Sequence, residues 1–185
     1  MTGKVKAALL ESDLSRLLTP GFPGITVEVG QSKRWNRPCV TFRWAGFDGL
    51  LPEERFHRLN RVIPESLRTK RLDGFVWLEL TPQETIEEFL ELPRSEDIAE
   101  RERDIYCRLL ELGFFESLSA ALGESPEATC RGDFSRSAAL LGAANWTAKQ
   151  IRDAKLVFIH HGTYCDCQAL LSAASVLGDL HARAV

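Results

Sequence analysis

Long hydrophobic runs are missing from this chain. No stretch approaches the ~20 apolar residues that a membrane-crossing helix needs, so no membrane association is expected. Lys4 and Lys6 precede apolar residues at the amino terminus, but Glu11 and Asp13 cut that stretch short. It reads as the start of an amphipathic helix rather than a signal peptide. Cysteine is sparse and odd in number, five in all and unevenly spread. That excludes the paired framework of a small secreted domain and sets the expectation of a cytoplasmic protein with reduced thiols. Catalytic signatures are missing as well: there is no G-x-S-x-G, no H-E-x-x-H and no phosphate-binding glycine loop. Asp13, Asp48 and Asp133, taken with the four histidines, form no nucleophile–base–orienter set. A non-catalytic role is the expectation.

What is present is an ordinary soluble composition, 44% hydrophobic and 26% charged, on a length that suits one domain or two small ones. A helical stripe of Val5, Ala8, Leu9, Leu14, Leu17 and Leu18 stops at the Pro/Gly-rich Thr19–Gly24. Ile25, Val27 and Val29 then alternate inward as a first strand. A polar, basic loop from Gly30 to Pro38 leads into a second strand, Cys39–Trp44, where Val40, Phe42 and Trp44 share a face. Gly46–Pro52 is a turn that ends at a helix with Pro52 in its first turn. Pro64 divides that helix near Ile63. A third strand, Phe75–Leu80, carries Val76, Leu78 and Leu80 on one face, and Phe56, Leu59 and Ile63 are spaced to cover the strand faces. Thr81-Pro-Gln-Glu84 has the form of a capping box with Thr81 as N-cap, and the helix it starts ends before Pro93.

This order, α-β-β-α-(α)-β-α over about residues 5–90, resembles the BolA-like family, whose fold is similar to a class II KH domain. The resemblance rests on Gly46-Phe-Asp-Gly-Leu50, on Glu54-Arg-Phe-His-Arg-Leu59 and on the strand exit Leu80-Thr-Pro82-Gln. It implies a small three-stranded sheet with helices. In that family a histidine opening the last strand is implied in iron–sulfur ligation with a monothiol glutaredoxin. Here Asp73–Trp77 occupies that place without a histidine, and no G-x-x-G nucleic-acid clamp stands in the KH position.

From Ser95 the pattern turns helical throughout. Ile98, Ile105, Leu109 and Leu112 mark one helix from Asp97 to Leu112, and Gly113 separates it from a second with Phe114, Phe115, Leu118 and Leu122. Gly123–Asp133 reads as a loop. Phe134–Leu141 and Asn145–His160 read as helices, with Asn145 as the cap before Trp146. A last helix runs from Cys165 to Leu180 through Leu170, Ala173, Ala174 and Leu177. The expected fold class is therefore α+β: a sheet domain over residues 1–93 and a helical domain over 94–185.

The most specific short pattern in the second half is Gly162-Thr-Tyr-Cys-Asp-Cys-Gln168, with Cys130 about 35 residues before it. Over about residues 128–174 it resembles a small bacterial family of domains with a C…G-Y-C-D-C-E signature and no assigned function, departing from it at Gln168. Two thiolates at C-x-C spacing in a turn can reach one soft metal. Cys130 could be a third ligand and His160 or His161 a fourth, in a tetrahedral Cys₃His site with zinc as the candidate ion. Adjacent helical residues point about 100° apart, so only one of the two histidines could join. The alternatives are buried or reactive thiols without metal, an iron–sulfur or redox role, or a Cys–His catalytic pair of Cys165 or Cys130 with His160.

Net charge is −3, but it is unevenly placed. Basic residues crowd Gln31–Leu72, and acidic ones crowd Asp73–Asp104. Arg34, Trp35, Arg37, Arg55, His57, Arg58 and Arg61 are the candidate surface for a protein partner or, alternatively, for single-stranded nucleic acid. Opposite charges facing each other inside the fold would explain the same asymmetry. A binding or regulatory protein, with a metal-linked or redox protein as the alternative, is the functional expectation.

Overall fold

The computed structural model describes the backbone of residues 3–173 and the side chains of residues 7–171. Ala174, Leu177 and Leu180, which the last predicted helix includes, lie outside the described residues, as does the side chain of Val5. The chain forms two compact units, Met1–Leu92 and Pro93–Val185, and the fold is α+β.

The first unit runs α1 (Gly3–Leu18), β1 (Thr26–Ser32), β2 (Arg37–Arg43), α2 (Pro52–Val62), α3 (Glu65–Arg71), β3 (Val76–Leu80) and α4 (Ile86–Leu90). Its sheet is mixed, in the order β1-β2-β3, with β1 and β2 an antiparallel hairpin and β3 parallel to β2. The return from β2 to a parallel β3 needs a long crossover, and α2 and α3 supply it. Pro64 separates those two helices, as the missing N–H of proline requires.

The register corrects one expectation. Val40 pairs with Trp77 and Thr41 with Leu78, so Val40 and Phe42 face one side of the sheet while Val76, Leu78 and Leu80 face the other. The main core lies on the first side, where Leu10, Leu14 and Leu18 of α1 and Leu59 and Ile63 close over Val27, Val40 and Phe42. Leu78 and Leu80 instead join Cys39 and Phe89 in a second, smaller core. Phe56 covers neither strand face fully: it is 45% exposed and meets the edge of Trp77.

Helix α4 also begins later than its capping box predicts. Thr85, not Thr81, is the N-cap, accepting from the Glu88 N–H at 3.2 Å. Glu84 still accepts from Thr81 N–H, but its carboxylate is held by a buried arginine, which keeps this turn out of the helix.

The second unit holds α5 (Glu102–Glu111), α6 (Phe114–Leu122), α7 (Pro126–Thr129), α8 (Ser135–Ala143), α9 (Ala148–His160) and the short α10 (Asp166–Gln168), which runs on into a π-type turn, Ala169–Ala173. The helix expected from Asp97 to Leu112 is interrupted: Ser95–Ile98 is a 3₁₀ turn, and Leu112 is exposed. Asn145 does not cap α9. It takes a left-handed conformation (φ 62°) after α8, and Thr147 caps α9 by accepting from Gln150 N–H. The core is aromatic. Phe158 of α9 stacks on Phe114 at 5.7 Å between ring centroids and meets Phe134 at the same separation. Among the described residues no helix is long and apolar enough to cross a membrane.

Candidate metal centre

Two chain segments meet where Phe134 packs on Phe158. One is the loop Cys130–Phe134 leading into α8, and the other is the Gly162–Gln168 turn that follows α9. Gly162 ends α9 in a left-handed conformation (φ 73°), which a residue with a Cβ rarely adopts. Thr163 then folds back, its hydroxyl donating to the Phe158 carbonyl at 2.8 Å. Cys165 is extended at the start of α10.

The two segments are pinned by Asp166, the residue between the paired cysteines. Its carboxylate is 1% exposed and accepts from Arg136 N–H (3.0 Å), Ser137 N–H (2.9 Å) and the Ser137 hydroxyl (2.6 Å). Those are the free N–H groups of the first turn of α8, whose own N-cap position is Phe134 and has no side-chain acceptor. Asp166 caps that helix from across the fold, and its own N–H donates to the Asp133 carbonyl at 2.9 Å. Arg136 extends the tie, donating to the carbonyls of Ala121 and Thr129.

The consequence is a cluster of three sulfurs. Cys130, Cys165 and Cys167 place their Sγ atoms within 4.8 Å of one another, and Cys165 and Cys167 are 3.4 Å apart. Thiolates at ~2.3 Å from a tetrahedral zinc are about 3.8 Å apart, so the cluster is close to the size a metal requires. Backbone N–H groups point at the sulfurs: Gly132 N–H lies 3.3 Å from Cys130 Sγ, Cys167 N–H also bonds Cys130, and Gln168 N–H bonds Cys165. Burial pushes the Cys130 thiol up, but N–H donation from Cys167 and Gly132 and the neighbouring thiols outweighs it, leaving Cys130 below its ordinary range. Burial raises Cys165. Burial, with donation to the other two sulfurs, pushes Cys167 up to about 12. Cys130 is thus the most readily ionised of the three sulfurs, and a soft cation that binds the cluster displaces the protons of the other two.

Neither histidine belongs to the cluster. His161 Nε2 makes a short contact with Glu102 of α5, and His160 Nε2 lies 3.9 Å from the same carboxylate. The expected Cys₃His set therefore closes at three, and among the described residues no other His, Cys, Asp or Glu joins it. Cys39 is buried on β2 and Cys107 half-buried on α5. Sequence reasoning missed Asp166, although an acid at a helix start between two cysteines is a signal for it.

The candidate basic surface divides. Arg55 is not a surface residue: it is 3% exposed, donates to the carbonyls of Leu50 and Glu79, and holds Glu84 with both guanidinium nitrogens at 2.5 and 3.2 Å. It also sits over the rings of Phe47 and Phe89. Arg34 is exposed, 3.7 Å from Glu87, and lies over Trp35, which is half-buried on the smaller core. Arg37 donates to the Gly74 carbonyl at 3.0 Å. His57 and Arg58 are half-buried and Arg61 is exposed on α2. Part of the charge asymmetry is thus spent within the unit, where Arg55 and Arg34 meet acids from the following segment. Comparison with protein-family models, with curated proteins and with solved structures gives no match.

Proposed function

We propose that this chain is a non-catalytic metal-binding protein in which Cys130, Cys165 and Cys167 hold a soft divalent ion, zinc in the first instance. The observation that carries the reading is the convergence of three sulfurs, from segments far apart in the chain, within 4.8 Å of one another. N–H groups from Gly132, Cys167 and Gln168 solvate them. N–H···S bonds of this kind disperse thiolate charge, as second-shell donors do around metal ligands. An all-thiolate donor set selects zinc and other soft ions over magnesium or calcium. The thiols must be reduced to act, so a reducing compartment, the cytoplasm, belongs to the same proposal.

The first unit is proposed as a BolA-like module that meets a protein partner. Its element order and its mixed β1-β2-β3 sheet support that reading.

Elemental analysis of the purified chain tests the metal. About one zinc per chain is expected, with each of Cys130→Ser, Cys165→Ser and Cys167→Ser reducing zinc affinity by at least ~10-fold, while Cys39→Ser and Cys107→Ser leave it unchanged. Zinc at background level after loading under reducing conditions sinks the reading.

A further inference from the structure

Resting on that reading, we infer that the three-thiolate centre keeps a fourth coordination position for an external ligand of the thiolate class. Structural zinc sites are closed by four protein ligands, whereas sites that exchange a ligand are built from three. Among the described residues, the nearby groups that could serve as the fourth already have partners. Asp166 is committed to the first turn of α8. The Gln168 side-chain oxygen accepts from Tyr164 N–H at 2.9 Å. The Thr163 hydroxyl donates to Phe158, and His160 and His161 face Glu102.

The cluster is also reachable from one side. Cys165 is buried and Cys130 and Cys167 are only partly exposed, Cys130 being the most open of the three, so the open position lies on the Cys130 side of the cluster. A fourth sulfur is the matching donor for a soft ion already held by three. Its added negative charge is tempered by the N–H groups of Gly132 and Cys167 on Cys130. The exchange balances simply: an incoming thiol gives its proton to solvent, and its sulfur replaces a bound water, which leaves. A free small-molecule thiol and a cysteine on a partner protein share this chemistry.

The test uses the full-length Cys107→Ser chain, which removes the half-buried thiol on α5, loaded with one equivalent of Co²⁺ and titrated with 2-mercaptoethanol. A cysteine-containing peptide, run against its serine counterpart, forms the second arm. Thiolate-to-cobalt charge-transfer absorption should rise saturably by about 1.3-fold as three sulfurs become four, with the visible bands retained. Saturation by the free thiol at low concentration would identify a small-molecule source, and preferential saturation by the peptide a partner's cysteine. Either would support the inference. A cobalt spectrum unmoved by both additions, or one lost as the thiol strips the metal, overturns the open position while leaving the metal site standing. Failure of Co²⁺ and Zn²⁺ alike to bind overturns both readings.

Discussion

Asp166 stands between the two paired cysteines, where a ligand role would be the first guess, yet its carboxylate points away from them into α8. Replacing it strands the buried N–H and hydroxyl of Ser137 and the part-buried N–H of Arg136. The cost of a lost cap and of unsatisfied buried donors puts Asp166→Ala at about 2–3 kcal/mol in the metal-free protein, measured by urea unfolding, with zinc affinity falling as the two segments separate. An unchanged unfolding midpoint would mean the cap does not hold the turn. The sulfurs themselves make a second prediction. With Cys165 raised and Cys167 pushed up to about 12, both are thiols at neutral pH, and a metal must displace their protons. Zinc affinity therefore rises as pH rises. The expected slope is at least roughly two log units per pH unit between about pH 6 and 8, one for each of the two raised thiols, read by competition with a chromophoric chelator. A flat profile would mean the thiols are not the ligands. Arg55 shows the same lesson from the other side: a cation that patterns as surface charge is the buried partner of Glu84.

At the scale of elements, the turn between β2 and α2 makes the first unit specific. Gly46 lies under the indole of Trp44, and a Cβ there would meet the ring at 2.3–2.5 Å. The ring has nowhere to go. Trp44 Nε1 donates to the Pro23 carbonyl at 3.0 Å, and its faces and edges meet Phe22 and Phe47. Gly46→Ala should therefore destabilise the unit by about 1–3 kcal/mol through overpacking, seen as a lower Tm and altered Trp44 fluorescence, whereas Gly30→Ala, with open space around it, should cost less. Equal effects of the two would show that the indole yields. The order of helices and strands, the break at Pro64 and the Gly46–Leu50 turn were all legible from periodicity and from proline and glycine placement. Helix starts were less so. Thr81 and Thr85 each carry an acid three residues on, and Asn145 and Thr147 compete similarly. Glu84 is held by Arg55, which leaves Thr85 to cap α4, and Asn145 turns left-handed after α8, which leaves Thr147 to cap α9.

For the molecule as a whole, two compact units with separate cores divide the reporters conveniently. Trp35, Trp44 and Trp77 belong to the first unit, and Trp146 to the second. Zinc at about 100 times its dissociation constant stabilises whatever binds it by roughly 2.7 kcal/mol. In urea unfolding of Trp146→Phe, fluorescence reports only the first unit, and zinc should leave its midpoint in place while shifting the later helical transition upward. A common shift in both signals would show that the units unfold together.

Alternation in the strands, a helical stripe through Leu14 and Leu18, and the run of amphipathic segments after Ser95 determined an α+β chain, because burying apolar surface at those periods leaves few other choices. That Leu10 and not the exposed Leu9 continues the stripe was settled by packing. C-x-C spacing likewise determined that Cys165 and Cys167 share a turn. Which face of the sheet receives Val76, Leu78 and Leu80, and which groups complete the sulfur cluster, followed from long-range contacts. A one-residue register sets the first. The second depends on Phe158 packing and on Asp166 bridging to α8, and no local pattern encodes the distance between residues 130 and 165.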